Sequence, residues 1–367
     1  MAERILLIKL SALGDVIQTL PTLEAIRAAH PQAEITWLVE EAAAPVLEDH
    51  PALDELLISR RQTWLAACRR GAALRTARLE IRQLVQALRR CPFDLVIDLQ
   101  GLLKSSLWTF LARSPRKIGF DQTRELSYLA LSERLPPYDP DEPAVRRYLR
   151  VAQHLGASGE TVRFRLALPA GSGNGLEPLW ADKTGPLIIL HPGTRWETKH
   201  WPPTSFAALA DALAGEMHAR IVFTGSPGDR SLIGRILSAM RKPGIDLSGR
   251  TDLKTLAGLF YQADAAVTTD TGPMHLAAAV GAPVVALFGP TAPWRTGPVG
   301  CGHRVLRLDL ACSPCFRRHC STPECMSHLE VDDVLTAVRG ILRQGRLHGR
   351  PTLKRHAGAV DIIDHLA

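Results

Sequence analysis

The chain has 367 residues, 46% hydrophobic and 22% charged, with a mean hydropathy of +0.00. This is globular composition at a length that suits two domains, and it excludes a disordered chain, a collagen-like fibre and a small disulfide-stapled fold. The net charge of +7 and pI of 9.2 are concentrated between Arg60 and Arg90, where nine arginines face one acid, Glu80, a field that attracts nucleic acid, phosphorylated sugars or an anionic membrane face.

In chain order, Ile5–Leu10 reads as a buried strand followed by helix to Ala29. Glu34–Val39 is a second strand, with a short helix expected near Ala42–Asp49, and Leu53–Ile58 is a third. A long amphipathic helical segment reaches Arg90. Phe93–Leu99 is a strand and Lys104–Ala112 a helix. The pattern weakens in the proline-rich Leu135–Pro143, and a helix follows from Ala144 to Leu155. Pro169–Gly175, with Gly171-Ser-Gly-Asn-Gly, has linker composition. A second series then places strands at Pro186–Leu190, Arg220–Phe223, Ala265–Thr268 and Pro283–Phe288. Helices are expected near Ser205–Ala214, Arg230–Arg241, Leu253–Tyr261, Met274–Val280 and Val331–Arg343. Alternating strands and helices mean α/β domains with parallel sheets. The expected layout is a first domain over 1–166, a linker over 167–185 and a second domain over 186–345. A basic tail over 346–367 could pack back on the first domain. In such folds ligands lie outside the carboxyl ends of the strands, so strand-to-helix loops carry the most weight. The apolar run nearest to the ~18 residues of a membrane span is Leu276–Phe288, which Gly281 and Pro283 interrupt. With no signal-peptide pattern at the N-terminus, the expected location is the cytoplasm.

Lys9-Leu-Ser-Ala-Leu-Gly-Asp15 follows the first strand directly. Asp15 stands at or near a helix N-terminus, where it reads either as a helix cap or as a general base able to take a proton from an attacking hydroxyl. A helix N-terminus favours negative charge, which suits a base. Neither G-x-G-x-x-G nor G-x-x-x-x-G-K-[ST] occurs in a fitting context, so nicotinamide and P-loop chemistry lose support. His191–Trp201 follows an apolar strand and carries Thr194, Arg195 and Lys199, which could converge on a diphosphate. Thr268–His275 follows another strand. Gly272 permits close backbone approach, Pro273 suits a first helical turn, and the free amides there form an anion site. Asp270 would fix that loop, and His275 lies one turn in.

Asp139-Pro-Asp141 matches a metal-binding D-x-D pattern but lies in the proline-rich connector, not at a strand end. Diphosphate charge would then fall to Lys, Arg and helix dipoles. Cys312, Cys315, Cys320 and Cys325 are spaced C-x₂-C-x₄-C-x₄-C, which suits a structural Zn or Fe site, reduced thiols or disulfides.

Taken together, these loops resemble the ADP-heptose:lipopolysaccharide heptosyltransferases, glycosyltransferase family 9. The resemblance is carried by Leu7–Pro21, by Asp98-Leu-Gln-Gly-Leu-Leu-Lys-Ser105, by His191-Pro-Gly with Lys199-His-Trp, and by Asp270-Thr-Gly-Pro-Met-His275. Cys312-Ser-Pro-Cys resembles a segment found in part of the family. The resemblance implies a GT-B fold, two Rossmann-like domains facing each other across a cleft. It also implies inverting transfer of heptose from ADP-heptose to the inner core (Kdo or heptose) of lipopolysaccharide, with no cofactor required for catalysis. Asp15 matches the catalytic base. Thr194, Arg195 and Lys199 match one diphosphate-binding stretch, and Asp270, Thr271, Gly272 and His275 a second. Asp229 falls near the nucleoside-contacting acid, where the family more often has Glu. Candidates for a phosphorylated lipid acceptor are Arg60, Arg61, Lys104, Arg116 and Lys117. With the tail arginines they suggest weak contact with the anionic inner leaflet. No obligate protein partner is expected.

Two other readings compete. One is a family-9 transferase with another nucleotide sugar or acceptor. The other is a nucleic-acid-binding protein using the arginine stretch and a Cys₄ metal knuckle. Nucleic acid is not the expected partner, because Trp64 is the only aromatic residue from Arg60 to Arg90 and stacking platforms need several.

Overall fold

Two six-stranded parallel sheets with the same strand plan organise the protein. The computed structural model describes residues 3–71, 73–158, 161–168, 176, 184–348, 354–356 and 359–365. The chain divides into two units, Met1–Arg163 with His365–Ala367, and Phe164–Asp364.

In the first unit the strands are β1 (Arg4–Ile8), β2 (Glu34–Glu40), β3 (Glu55–Ser59), β4 (Leu95–Asp98), β5 (Arg116–Phe120) and β6 (Glu133–Leu135). They lie in the order β3-β2-β1-β4-β5-β6, all parallel. The central strands β1 and β4 are buried nearly throughout, which is why they read as continuous apolar runs with no alternation. Helices α1 (Leu13–Ala29), α2 (Arg61–Arg70), α3 (Leu74–Arg90), α4 (Leu103–Leu111) and α5 (Ala144–His154) cover the sheet, with α1 packed on α5. The long segment expected before Arg90 is two helices, because Gly71 turns the chain at φ 64°, a conformation glycine adopts without steric cost. On α3 only Ala77, Leu84 and Leu88 are buried, so Arg75, Arg78, Arg82, Arg89 and Arg90 stand in solvent. The helix expected at Ala42–Asp49 is a single tight turn, Ala44–Val46. Pro45 has no amide to donate, and the backbone turns left-handed at Asp49.

The second unit repeats the plan with β8 (Leu187–His191), β9 (Arg220–Phe223), β10 (Ile245–Asp246), β11 (Ala265–Thr269), β12 (Val284–Phe288) and β13 (Arg304–Arg307). Their order is β10-β9-β8-β11-β12-β13. Helices α6 (Pro203–Met217), α7 (Arg230–Ala239), α8 (Leu253–Gln262), α9 (Gly272–Ala279) and α10 (Val331–His348) surround them. Trp201 anchors the core. Its ring meets Phe206 edge-on at 4.9 Å and its Nε1 donates to the Leu329 carbonyl at 3.0 Å. A further small sheet has the order β14-β15-β7, from Lys354–His356, Ala359–His365 and Thr161–Ala167. In the expected linker, residues 169–175 and 177–183 lie outside the described residues, as do the side chains of the tail from residue 345 onward. Among the described residues no helix is long and apolar enough to cross a membrane.

The strands that sequence reading passes over are β5, β6, β7, β10 and β13, together with β14 and β15 of the tail. They are short or, like Arg116-Lys-Ile-Gly-Phe, carry charge where a central strand would carry only apolar side chains.

Candidate active site

Each sheet changes direction of growth once, between β1 and β4 in the first unit and between β8 and β11 in the second. At such a switch point two neighbouring loops leave in opposite senses and open a crevice at the carboxyl edge. The expected functional loops of each unit emerge there.

In the first unit Asp15 occupies the third position of α1. Its Oδ2 accepts the Ala12 amide at 3.1 Å, so the capping role is real, and its Oδ1 accepts the Tyr148 hydroxyl at 3.2 Å. Lys9, buried at the end of the β1 run, donates from Nζ to the Tyr148 oxygen at 2.7 Å and to the Leu99 carbonyl at 3.0 Å. Burial pushes the Lys9 ammonium down to about 8 against the opposing pull of Asp15 and Asp98. Burial, with Asp15 adding to it, raises the Tyr148 phenol well above its ordinary value, so Tyr148 stays a donor. The result is a directed chain from Lys9 through Tyr148 to Asp15. The β4 loop braces it, because Gln100 Oε1 accepts the Leu10 and Ser11 amides at 3.0 and 2.9 Å. Beneath, Asp98 accepts from the Gln100 and Gly101 amides and from Ser105 and Thr109. Burial still raises its carboxyl pKa against those four bonds.

Two of the acceptor-side cations join this loop. Arg61 Nε and Lys104 Nζ share Oε1 of the buried Glu40, at 2.9 and 3.2 Å, and Lys104 also bonds Ser11 Oγ. Arg60 is more exposed and pairs with Glu80 at 3.1 Å. Arg116 and Lys117 lie elsewhere. They open β5, in register with Leu95 and Val96, at the amino edge of the sheet. Arg116 is held by Glu133 at 2.6 and 3.2 Å, contacts that bring the Glu133 carboxyl down to about 2. Lys117 donates to the Phe110 carbonyl at 3.2 Å.

In the second unit the two expected anion loops meet. Lys199 Nζ lies 2.6 Å from Asp270 Oδ2 and 3.2 Å from the Asp270 carbonyl oxygen. Thr271 is the N-cap of α9, and Gly272 and Pro273 form its first turn, which leaves amides free to face an anion. His275 is buried one turn in, Thr194 is half-buried and Arg195 exposed. The β9 loop joins them. Asp229 accepts from Ser226 N and Oγ at 2.7 and 2.6 Å, and a side chain at Gly193 would meet its Oδ2 at 2.6 Å, so any larger residue there would have to displace the Asp229 carboxylate. His191 hydrogen-bonds Thr224 at 3.0 Å, and burial pushes it down to about 4.

Sequence reading misses Lys9, Tyr148, Gln100 and Glu40 as parts of the first site. A lysine closing an apolar strand was a signal for Lys9, but Tyr148 lies 133 positions from Asp15 and had none. It also misses Gly289–Thr291, which leave β12 on the same edge as the anion loops. Thr291 Oγ1, like the hydroxyls of Thr268 and Thr269, is buried with no hydrogen-bond partner among the described residues. Gly-Pro-Thr directly after an apolar strand was the available signal.

Of the three readings of the cysteine cluster, a Zn or Fe site, reduced thiols or disulfides, the structure shows free thiols and gives the metal site no support. All seven cysteines are free thiols, and among the described residues no group of three or more His, Cys, Asp or Glu is arranged to hold a metal ion. Cys325 is buried against Gly289 whereas Cys312 and Cys320 are exposed. Burial, and then Cys315, Cys312 and Cys320, push the Cys325 thiol up. Other bonds shape the segment: Ser313 Oγ to the Gly289 carbonyl at 2.6 Å, the Cys315 amide to the Pro290 carbonyl at 3.1 Å, and Thr198 Oγ1 to the Arg317 carbonyl at 2.7 Å. The Asp139-Pro-Asp141 match is a turn in which Asp139 accepts the Asp141 amide at 2.8 Å. The nucleic-acid reading therefore loses its metal knuckle.

Comparison with known proteins places the chain in a family. Residues 81–326 match the model of glycosyltransferase family 9 (heptosyltransferase). Lipopolysaccharide heptosyltransferase 1 of Pseudomonas aeruginosa is 34% identical over 87% of this chain and 87% of its own length. A family 9 glycosyltransferase crystal structure from Veillonella parvula superposes with a TM-score of 0.80 at 24% identity, over 93% of this chain and 98% of that one. The heptosyltransferase WaaC of E. coli, solved with ADP, gives a TM-score of 0.72 at 26% identity, over 92% and 99%. These neighbours share the two-domain α/β architecture described above.

Proposed function

Because the chain belongs to glycosyltransferase family 9, we propose that it transfers heptose from ADP-heptose to the inner core of lipopolysaccharide, with inversion and without a catalytic metal. The observation that carries the reading is the chain Lys9–Tyr148–Asp15. It aims a carboxylate, held by one hydrogen bond at each oxygen, out of a switch-point loop. Spare lone pairs on that carboxylate accept the proton of the acceptor hydroxyl as it attacks the anomeric carbon. The bond to ADP breaks on the opposite face, and negative charge grows on the departing diphosphate.

Lys199, Arg195, Thr194 and the first-turn amides of α9 at Thr271 and Gly272 stabilise that charge. Asp270 keeps Lys199 aimed, His275 supports the turn from below, and Asp229 serves the nucleoside. Arg60, Arg61 and Lys104 receive the phosphorylated acceptor, a lipid-linked core on the cytoplasmic face of the inner membrane. Arg116 and Lys117 are left out of this set, since they open the other edge of the sheet.

The test is transfer from ADP-heptose to acceptors of defined core length, read by mass spectrometry. A mass gain of one heptose on Kdo-terminated or heptose-terminated acceptor supports the reading and fixes the acceptor. Transfer only from another nucleotide sugar would replace the donor while keeping the family chemistry.

A further inference from the structure

The outer face of α4 is apolar where a solvent-facing helix should be polar. Leu103, Leu107 and Phe110 recur at i, i+4 and i+7 and, with Leu126 and Leu129 of the facing Arg124–Ala130 turns, are 55–72% exposed. The opposite face of the helix is ordinary core and polar packing, with Ser105, Ser106, Trp108 and Thr109 buried. The five side chains border one open groove of about 920 Å³ within the first unit. A contiguous apolar surface of this kind on a water-exposed element marks an interaction site.

The rim is cationic. Arg61 and Lys104 line the groove, and the Lys117 ammonium sits 6.0 Å from the Phe110 ring centroid. The one acid in the lining, Glu125, is occupied: its Oε2 accepts the Leu103 amide at 2.9 Å at the start of α4. Glu125 and Leu126 both take left-handed backbone angles (φ 59° and 57°), conformations that non-glycine residues adopt only when the surroundings enforce them. The groove is also continuous with the candidate active site, because Lys104 bonds Ser11 in the Asp15 loop.

We propose that this face seats the enzyme on an anionic lipid bilayer. Leu103, Leu107, Phe110, Leu126 and Leu129 enter the hydrocarbon boundary and Lys117 meets lipid phosphates, while Arg61 and Lys104, at the end of the groove nearest the Asp15 loop, stay with the acceptor. Apolar wedge and basic rim together are the chemistry of an interfacial anchor. The choice of partner rests on the lipid-linked acceptor proposed above. Seated this way, the acceptor's phosphorylated sugar would reach the Asp15 loop while its acyl chains stay in the bilayer.

The experiment is co-sedimentation of the full chain with vesicles of phosphatidylglycerol and phosphatidylethanolamine, against phosphatidylcholine alone, at low and physiological salt. Wild type should bind the anionic vesicles, more weakly as salt rises. Leu107→Glu with Phe110→Glu should lower the partition at least about tenfold, and the milder Leu107→Ala with Phe110→Ala and Leu129→Ala should lower it in the same direction. Ile245→Glu, a similar change at an exposed apolar residue of the second unit, should leave it unchanged. Wild-type binding that is absent, or indifferent to lipid charge, overturns the proposal. So does equal binding by the groove variants. Loss of a dimer in those variants on gel filtration, with vesicle binding intact, overturns it in favour of a second copy of the chain. Heptose transfer to a soluble, delipidated acceptor should be the same in wild type and variants. Failure of wild type in that assay would count against the function proposed above and leave the vesicle result standing.

Discussion

The two carboxyl edges are built on the same strand order but hold their groups in different ways. In the second unit the candidate groups sit in consecutive stretches, Thr194–Lys199 and Asp270–His275, and Lys199 and Asp270 close directly on each other at 2.6 Å. In the first unit the proposed base, Asp15, depends on partners from distant parts of the chain. Tyr148 comes from α5, Gln100 from the β4 loop, and Lys9 from the floor of the sheet. Binding an anion needs amides and cations that one loop can supply. Positioning a carboxylate base needs a fixed rotamer and direction, which here come from packing between elements.

Breaking the first edge should have the largest effect. Asp15→Asn keeps one acceptor oxygen, for either the Tyr148 hydroxyl or the Ala12 amide but not both, and removes the proton acceptor. Turnover should fall by about 10²–10⁴ while ADP binding, measured by calorimetry, stays within error. Near-normal turnover would remove Asp15 from the chemistry and reduce it to the helix cap it also is.

Acid should weaken the second unit. Burial holds His191 and His303 near 4, against 6.5 in the unfolded chain. Between those values the unfolded chain binds the protons and the folded one does not, so stability falls as pH drops from 6.5 toward 4. The loss approaches roughly 3 kcal/mol for the buried His191 ring and is smaller for the half-buried His303. Thermal melts at pH 7, 5.5 and 4.5 should show it, and His303→Asn should flatten the dependence. A melting temperature constant down to pH 4.5 would contradict both neutral rings.

Lys199→Ala sharpens the contrast from the other side. It removes a cation from the diphosphate loop and leaves the largely buried Asp270 without its partner. ADP affinity should fall about tenfold to a hundredfold, with turnover following. Unchanged affinity would assign Lys199 to holding Asp270 and nothing more. Tyr148→Phe should cost about tenfold in kcat with little change in donor KM, since it removes one hydrogen bond to a charged oxygen. The Lys9 ammonium, brought to about 8 by burial, is charged below that pH and donates to Tyr148. Above it the neutral amine can accept the phenol proton and turn the hydroxyl away from Asp15. Wild-type kcat should therefore decline as pH rises through about 8, and Tyr148→Phe should lack that limb.

What could be read from sequence follows the same division. Fold class, the central strands and the positions of the two candidate anion loops were legible because each is local: an apolar run, then a glycine, a proline or a cation at the strand end. The Asp15 loop was legible as a position but not as a mechanism. Nothing near residue 15 announces Tyr148, and nothing near Glu40 announces that Arg61 and Lys104 will share its Oε1. The cysteine spacing left a metal site, reduced thiols and disulfides open because spacing carries no bonding state. In three dimensions all four are free thiols, Cys325 buried and Cys312 and Cys320 exposed, with the other three close enough to raise the Cys325 thiol. Strand β5, which lies between β4 and β6, was not recognised, and its absence from the sequence reading left the placement of Arg116 and Lys117 at the amino end of that strand unseen.

That placement sets the smallest effect. Arg116 pairs with Glu133 on an exposed surface, where an ion pair contributes about 0–1 kcal/mol, and it opens the end of β5 farthest from the β1 and β4 loops. Arg116→Ala should leave turnover and acceptor KM within about twofold of wild type and shift stability by less than about 1 kcal/mol. Lys104→Ala should raise acceptor KM, because Lys104 touches the Asp15 loop itself. The informative quantity is the ratio of the two. If Arg116→Ala raised acceptor KM as much as Lys104→Ala does, the acceptor would have to extend along the whole length of β5, and the active site could no longer be confined to the carboxyl edge of the first sheet.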